Sequence, residues 1–200
     1  MSQPSEASPA TLAQSAVQAE YTQEERKLLL AIAHESILSS LERRDVAFIT
    51  PSTHLSEQRG VFTTIYANGK LRGCVGYPAP ILPLYRAVIE TARAAASDDP
   101  RFAPVSLEEA RGLQISLSVL SQLRRITAEE VEVGRHGLVI SQRGQRGLLL
   151  PQVPVEHGWD RTTFLEQTCL KAGLPPHAWR TGAQIEAFTA EVFSDPEARE

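Results

Sequence analysis

Val61-Phe62-Thr63-Thr64-Ile65-Tyr66-Ala67-Asn68-Gly69-Lys70-Leu71-Arg72-Gly73-Cys74-Val75-Gly76 is the stretch whose reading decides the fold. Asn-Gly between two such runs is a strong hairpin signal, because a type I′ turn needs φ > 0 at both central residues. On a two-residue loop, Ala67 pairs with Lys70, Ile65 with Arg72 and Thr63 with Cys74. Tyr66 then faces Leu71, and Phe62 faces Val75. Opposed residues share a face of the ribbon. The expected core face is therefore Phe62, Tyr66, Leu71 and Val75, and the other face carries Thr63, Arg72 and Cys74.

On that second face a guanidinium and a thiol stand two residues apart and point the same way. Gly73 and Gly76 bracket the thiol, and glycine inside a strand marks a bulge or a close approach to the backbone. A nearby cation favours the reactive thiolate. The plainer alternative makes Cys74 a small buried hydrophobe and Arg72 a surface charge.

Length and composition set the bounds. Two hundred residues make one large domain or two small lobes, long enough to bury a core without staples. A net charge of −4 argues against a broad nucleic-acid surface, although a local basic pocket stays open. Cys74 and Cys169 are the only cysteines, and no apolar run is long enough to span a bilayer. With no signal peptide, these features imply a cytoplasmic protein. Residues 1–19, rich in Ser, Ala, Gln, Pro and Thr, read as a disordered tail before a folded region over 20–193, and 194–200 as a frayed end.

Along the chain, Thr22 and Glu25 form a capping box opening a helix to about Leu41. Prolines at 78, 80 and 83 delay the next helix to Leu84–Ala96, whose small residues allow tight packing on the hairpin. Ser97-Asp98-Asp99-Pro100-Arg101-Phe102 reads as an ion-paired turn or a small polar site. Ser106 caps a short helix, and Leu113–Val119 alternates as a strand with one face in the core. Thr127 with Glu130 predicts a further short helix ending near Gly134. Arg143-Gly144 turns a second hairpin, residues 137–140 and 147–150, too apolar for a half-exposed ribbon, so both faces should be covered. Asp160 caps a helix running to Ala172 with Gly173 as its stop and Cys169 in the core, and Ile185–Phe193 reads as one final strand. No internal repeat of fixed period is visible.

Most chemistry is excluded by spacing. The histidines at 34, 54, 136, 157 and 177 show no metal-ligand spacing, so no metal site is expected. No Walker loop, dinucleotide fingerprint or nucleophile elbow occurs. A thiol nucleophile with a distant histidine remains, and it needs His136 or His54 within hydrogen-bond reach of Cys74.

The assembled motifs resemble the AMMECR domain family. Leu71-Arg72-Gly73-Cys74-Val75-Gly76 is similar to its Leu-Arg-Gly-Cys-Ile-Gly signature. The resemblance continues through Asp99-Pro100-Arg101-Phe102, Ser118-Val119-Leu120-Ser121, His136–Ile140 and Gly147–Val153 to Phe164-Leu165, Lys171–Leu174 and Trp179. It spans about residues 24–193, with Val75 in place of isoleucine and a short, atypical 154–161 segment. The resemblance implies an α+β fold: a mainly antiparallel sheet flanked by helices, in two unequal lobes with a cleft beside the signature. In bacteria and archaea, relatives labelled AmmeMemoRadiSam system protein A accompany a Memo-type protein and a radical-SAM protein.

Two functions follow as expectations. In the first, the protein is an enzyme on a small anionic or nucleotide-like substrate: Cys74 is nucleophile or thiolate, and Asp99 or His136 carries the proton. Arg72, Arg101, Thr63, Gly73 and Gly76 then hold the substrate, with the cofactor unknown. In the second, the chain is a non-catalytic module binding a ligand or the Memo-like and radical-SAM proteins. Nucleic-acid binding is disfavoured by the acidic pI.

Overall fold

The computed structural model describes residues 19–48 and 52–196. The tail expected over 1–19 lies almost entirely outside the described residues, as do 197–200. Of the frayed end, Ser194–Pro196 are ordered into the fold, with Asp195 bonded to His34 and to the Ile115 amide.

Helix α1 (Gln23–Leu41) starts on the expected capping box, Thr22 Oγ1 accepting the Glu25 amide. Strands β1 (Val61–Ala67) and β2 (Lys70–Tyr77) form the first hairpin, and α2 (Leu84–Ser97) lies against it. A short α3 (Leu107–Ala110) leads into β3 (Gln114–Leu120). The next elements are β4 (Arg124–Arg125), the hairpin β5 (Gly137–Gln142) and β6 (Gln145–Leu149), α4 (Gln152–Glu156) and α5 (Arg161–Lys171). The chain closes with β7 (Gln184–Phe188) and β8 (Ala190–Ser194). This is an α+β protein of two antiparallel four-stranded sheets, ordered β2-β1-β3-β8 and β4-β7-β5-β6.

The structure differs from the sequence reading at three elements. The stretch 185–193 is two strands in two sheets, broken at Thr189. A parallel crossing runs from β3 to β4, and the two crossings are tied where Ser121 and Thr189 exchange hydrogen bonds. Residues 127–134 form turns instead of a helix: the Thr127 amide does bond Glu130, but the chain then buries Val131 and turns at Gly134 with φ 83°. Helix α4, begun at Pro151, was not read from the sequence; proline is tolerated there because first-turn amides need no helical partner.

A repeat without a fixed period also emerges. In β1-β2-α2-β3 and again in β5-β6-α5-β7, a hairpin is followed by a helix and a third strand that pairs with the hairpin's first strand. Both hairpins turn on two residues of positive φ, Asn68-Gly69 and Arg143-Gly144. Three residues before each turn, Ile65 opposes Gly73 and Ile115, while Ile140 opposes Gly147 and Ile185. Each glycine lies under the end of its helix, Gly73 at Ala95 and Gly147 at Ala172. Connections of unequal length between equivalent strands hide this order from any fixed-period search.

Each unit encloses its own core. Val61, Ile65, Ile115 and Leu117 pack with α1 and α2 in the first, and Leu138, Ile140 and Ile185 with Phe164 and Leu165 in the second. Phe62, Leu120 and Ala190 of the first sheet meet Val139, Leu148 and Phe188 of the second, which covers both faces of the second hairpin as expected.

Candidate functional site

The first hairpin keeps its tight turn but not its simple register. Tyr66 opposes Leu71, yet Ile65 opposes Gly73, so Arg72 is the extra residue of a β-bulge. One inserted residue flips every side chain beyond it to the other face. The core face is therefore Val61, Thr63 and Ile65 with Gly73 and Val75: β1 is reversed from the expectation, whereas Val75 keeps the core face and Cys74 the outer one. Thr63, expected beside Cys74, is fully buried on the opposite face, its hydroxyl 2.7 Å from that of Thr91. It is removed from any substrate-facing surface.

Both signature glycines serve packing. A Cβ on Gly73 would stand 2.1 Å from the Ala95 carbonyl oxygen, so the residue faces α2 and not a ligand. Gly76 lies beneath the Phe62 ring, where a Cβ would come within 2.3 Å of Cδ1.

Cys74 is partly exposed on the outer face. It opposes Thr64, which opposes Ser116, which opposes Ser194, so one row of hydroxyls and a thiol crosses all four strands. All four are half-buried. The Thr64 hydroxyl donates to the Cys74 sulfur at 3.3 Å. Tyr66 and Leu71 border the row on one side, Phe62 and Val192 on the other.

Asp99 follows α2 and is 5% exposed. Its Oδ2 accepts the Cys74 amide at 2.8 Å, and its two oxygens accept from the Arg101 amide, Nε and Nη2 at 3.1, 3.0 and 2.7 Å. The Arg101 guanidinium, then the Cys74 amide, hold this carboxyl well below the usual aspartate range. At neutral pH it is ionised, and both its oxygens already accept hydrogen bonds, which makes it a weak base with no proton to give. Arg72 donates from Nε and Nη2 to Glu109 at 2.6 and 3.1 Å, and Arg72 keeps the Glu109 carboxyl below its ordinary pKa. Both guanidinium groups lie over the Phe102 ring, at 5.9 and 5.4 Å from its centroid. Two cations and two carboxylates thus form a neutral clamp along the edge of β2.

His136 stands just before β5 of the second sheet, where its Nδ1 accepts the Glu132 amide at 3.1 Å and burial lowers its pKa. His54 is bonded to Glu25 and stacked on Tyr21. Neither ring bonds to Cys74, so the thiol–histidine pair is not assembled. Glu109, Thr64, Ser116 and Ser194 were not singled out from the sequence. The alternation of Gln114, Ser116 and Ser118 marked one face of β3 as polar, but only the bulge aligns that face with Cys74. Among the described residues no group of three or more His, Cys, Asp or Glu could hold a metal ion. No helix there is long and apolar enough to cross a membrane.

These pKa shifts have a sign. Asp99 titrates below the ordinary 3.8, so its contribution is complete above that pH and is lost as pH falls through its own lower value. His136 is held below 6.5 by burial, so the unfolded chain takes up its proton first and stability falls as pH drops under that value. Urea titrations at stepped pH should show both losses, and Asp99→Asn should shrink the lower one, leaving the share of Glu109 and the other lowered carboxylates, while keeping the upper. An unchanged acid limb in that variant would refute the clamp.

Two helix-backed antiparallel sheets, a bulged hairpin and a neutral arginine–phenylalanine clamp beside a hydroxyl–thiol row define a class of α+β protein. The chain belongs to the AMMECR1 family, whose model matches residues 30–193. It is 42% identical over 188 residues to protein MK0488 of Methanopyrus kandleri, covering 88% of this chain and 91% of that one. With protein MJ0810 of Methanocaldococcus jannaschii it shares 40% over 188 residues, 89% of this chain and 94% of that one. The crystal structure of the uncharacterized protein PH0010 from Pyrococcus horikoshii superposes with a TM-score of 0.68 at 39% identity. That match covers 88% of this chain and 93% of the other.

Proposed function

We propose that the outer face of the first sheet is a non-catalytic binding surface for a neutral polar segment of a partner protein. The carrying observation is the charge balance: Arg72 is matched by Glu109 and Arg101 by Asp99, so each guanidinium beside the Cys74 row already holds a carboxylate. The sulfur of Cys74 has a hydroxyl donor and no bonded base, which argues against the thiol-enzyme reading. The half-buried row from Cys74 to Ser194 offers hydroxyl donors and acceptors, and the flanking Tyr66 and Leu71 offer apolar contact. This is the mixture that peptide-binding faces use. The Memo-type and radical-SAM proteins that the family resemblance implies are the partners to test, with the row from Cys74 to Ser194 as the place of contact.

Titration calorimetry with the purified Memo-type and radical-SAM proteins of the same host tests this reading. Binding by the native chain and by Cys74→Ser, with loss in Ser116→Arg, is the expected pattern. Binding to neither protein, or loss in Cys74→Ser alone, defeats it.

A further inference from the structure

Three of the four sheet edges are closed against pairing. On β2, Asp99 occupies the outward Cys74 amide. Strand β4 has only two residues, both arginine, and β6 carries Gln145 and Arg146 and passes almost directly into α4. Short strands, charges and covering groups are how proteins keep edges from pairing.

Strand β8 is the least protected of the four: its one charge, Glu191, is paired with Arg26 on the inner face. Ala190-Glu191-Val192-Phe193-Ser194 contains no proline and no basic residue, and Val192 is 63% exposed. Ser121 bonds to the Thr189 carbonyl and Asp195 to the Ile115 carbonyl, so the inward hydrogen-bonded positions are 189, 191, 193 and 195. The amides and carbonyls of Ala190, Val192 and Ser194 therefore point away from β3. Among the described residues nothing pairs with them. Beside this edge, α1 and β8 enclose a groove of about 470 Å³ lined by Lys27, Leu30, Ala31, His34 and Phe193.

We infer that β8 pairs antiparallel with β8 of a second copy of this chain, about a two-fold axis at Val192, giving one eight-stranded sheet. The strand is its own complement in that register. On the outer face Val192 meets the partner's Val192, and Ala190 meets the partner's Ser194. On the inner face Glu191 meets the partner's Phe193, and no like charges oppose each other directly. Arg26, bonded to Glu191 and lying 5.7 Å over Phe193 of its own chain, neutralises Glu191 on that inner face. Self-complementarity about one axis is what a closed dimer requires, and it favours a second copy over an unrelated extended peptide.

Sedimentation velocity of the full chain across the micromolar range tests the pairing. The native protein should sediment as a dimer, Val192→Lys as a monomer, because two ammonium groups would meet on the axis, and Val192→Thr as a dimer still. Val192 packs against nothing on its exposed side, so the lysine variant should fold, which circular dichroism checks. Its melting should no longer depend on protein concentration. A native chain that stays monomeric at every concentration, or a lysine variant as dimeric as the native chain, overturns the inference. So would protection of the Val192 and Ser194 amides from hydrogen exchange in a monomer, since the edge would then be covered by the chain itself.

Discussion

Gly73→Ala is expected to cost about 3 kcal/mol or more, at the upper end for an overpacked core. The added Cβ would lie 2.1 Å from the Ala95 carbonyl oxygen and 3.2 Å from Ile65 Cδ1. A helix carbonyl cannot turn aside, so the end of α2 must withdraw. Withdrawal lifts Ala92 and Ala95 out of the core and pulls Asp99 from the Cys74 amide. At about 2–4 °C per kcal/mol for a chain of this size, the melting midpoint should fall by roughly 6–12 °C. A variant melting with the native chain would mean that α2 does not approach β2 as closely as described.

Gly147→Ala should be nearly as costly, again about 3 kcal/mol. Its Cβ would stand 2.3 Å from the Ala172 amide nitrogen and 2.6 Å from its Cα. That end of α5 has little freedom, because the Ala172 amide is bonded to Thr168 and Cys169. Gly173 then turns at φ 74° so that the Leu174 amide returns to Cys169. The two sheets share the Phe62–Leu120–Phe188 cluster and two chain crossings, so each variant should melt in one transition at a lower denaturant midpoint. Loss confined to one sheet, seen as two transitions, would show the sheets to be uncoupled. Gly69 and Gly144 have open space around a built Cβ and owe their identity to positive φ alone. Alanine at those turns should cost less than at either helix contact.

Local chemistry made most elements legible. The Thr22 capping box, the Asn68-Gly69 and Arg143-Gly144 turns and the Asp160 cap are satisfied within a few residues, so sequence spacing suffices to find them. The alternation of β3 and the small-residue face of α2 likewise announced which sides are buried. Of the proposed site, the signature hexapeptide and the Asp99–Arg101 pair were visible as motifs, yet the geometry that gives them meaning was not.

What the sequence by itself determined is most of the helices, both hairpins, the ion-paired turn after α2 and the family to which the chain belongs, all carried by short-range contacts or local motifs. Tertiary structure alone decided the bulge at Arg72, the division of residues 184–194 between two sheets and the bonding of His136 to Glu132 instead of Cys74. The reason is physical. A bulge and a strand exchange are set by which surfaces can be buried together across the chain, and a single-residue shift of register exchanges core for surface without altering any local propensity.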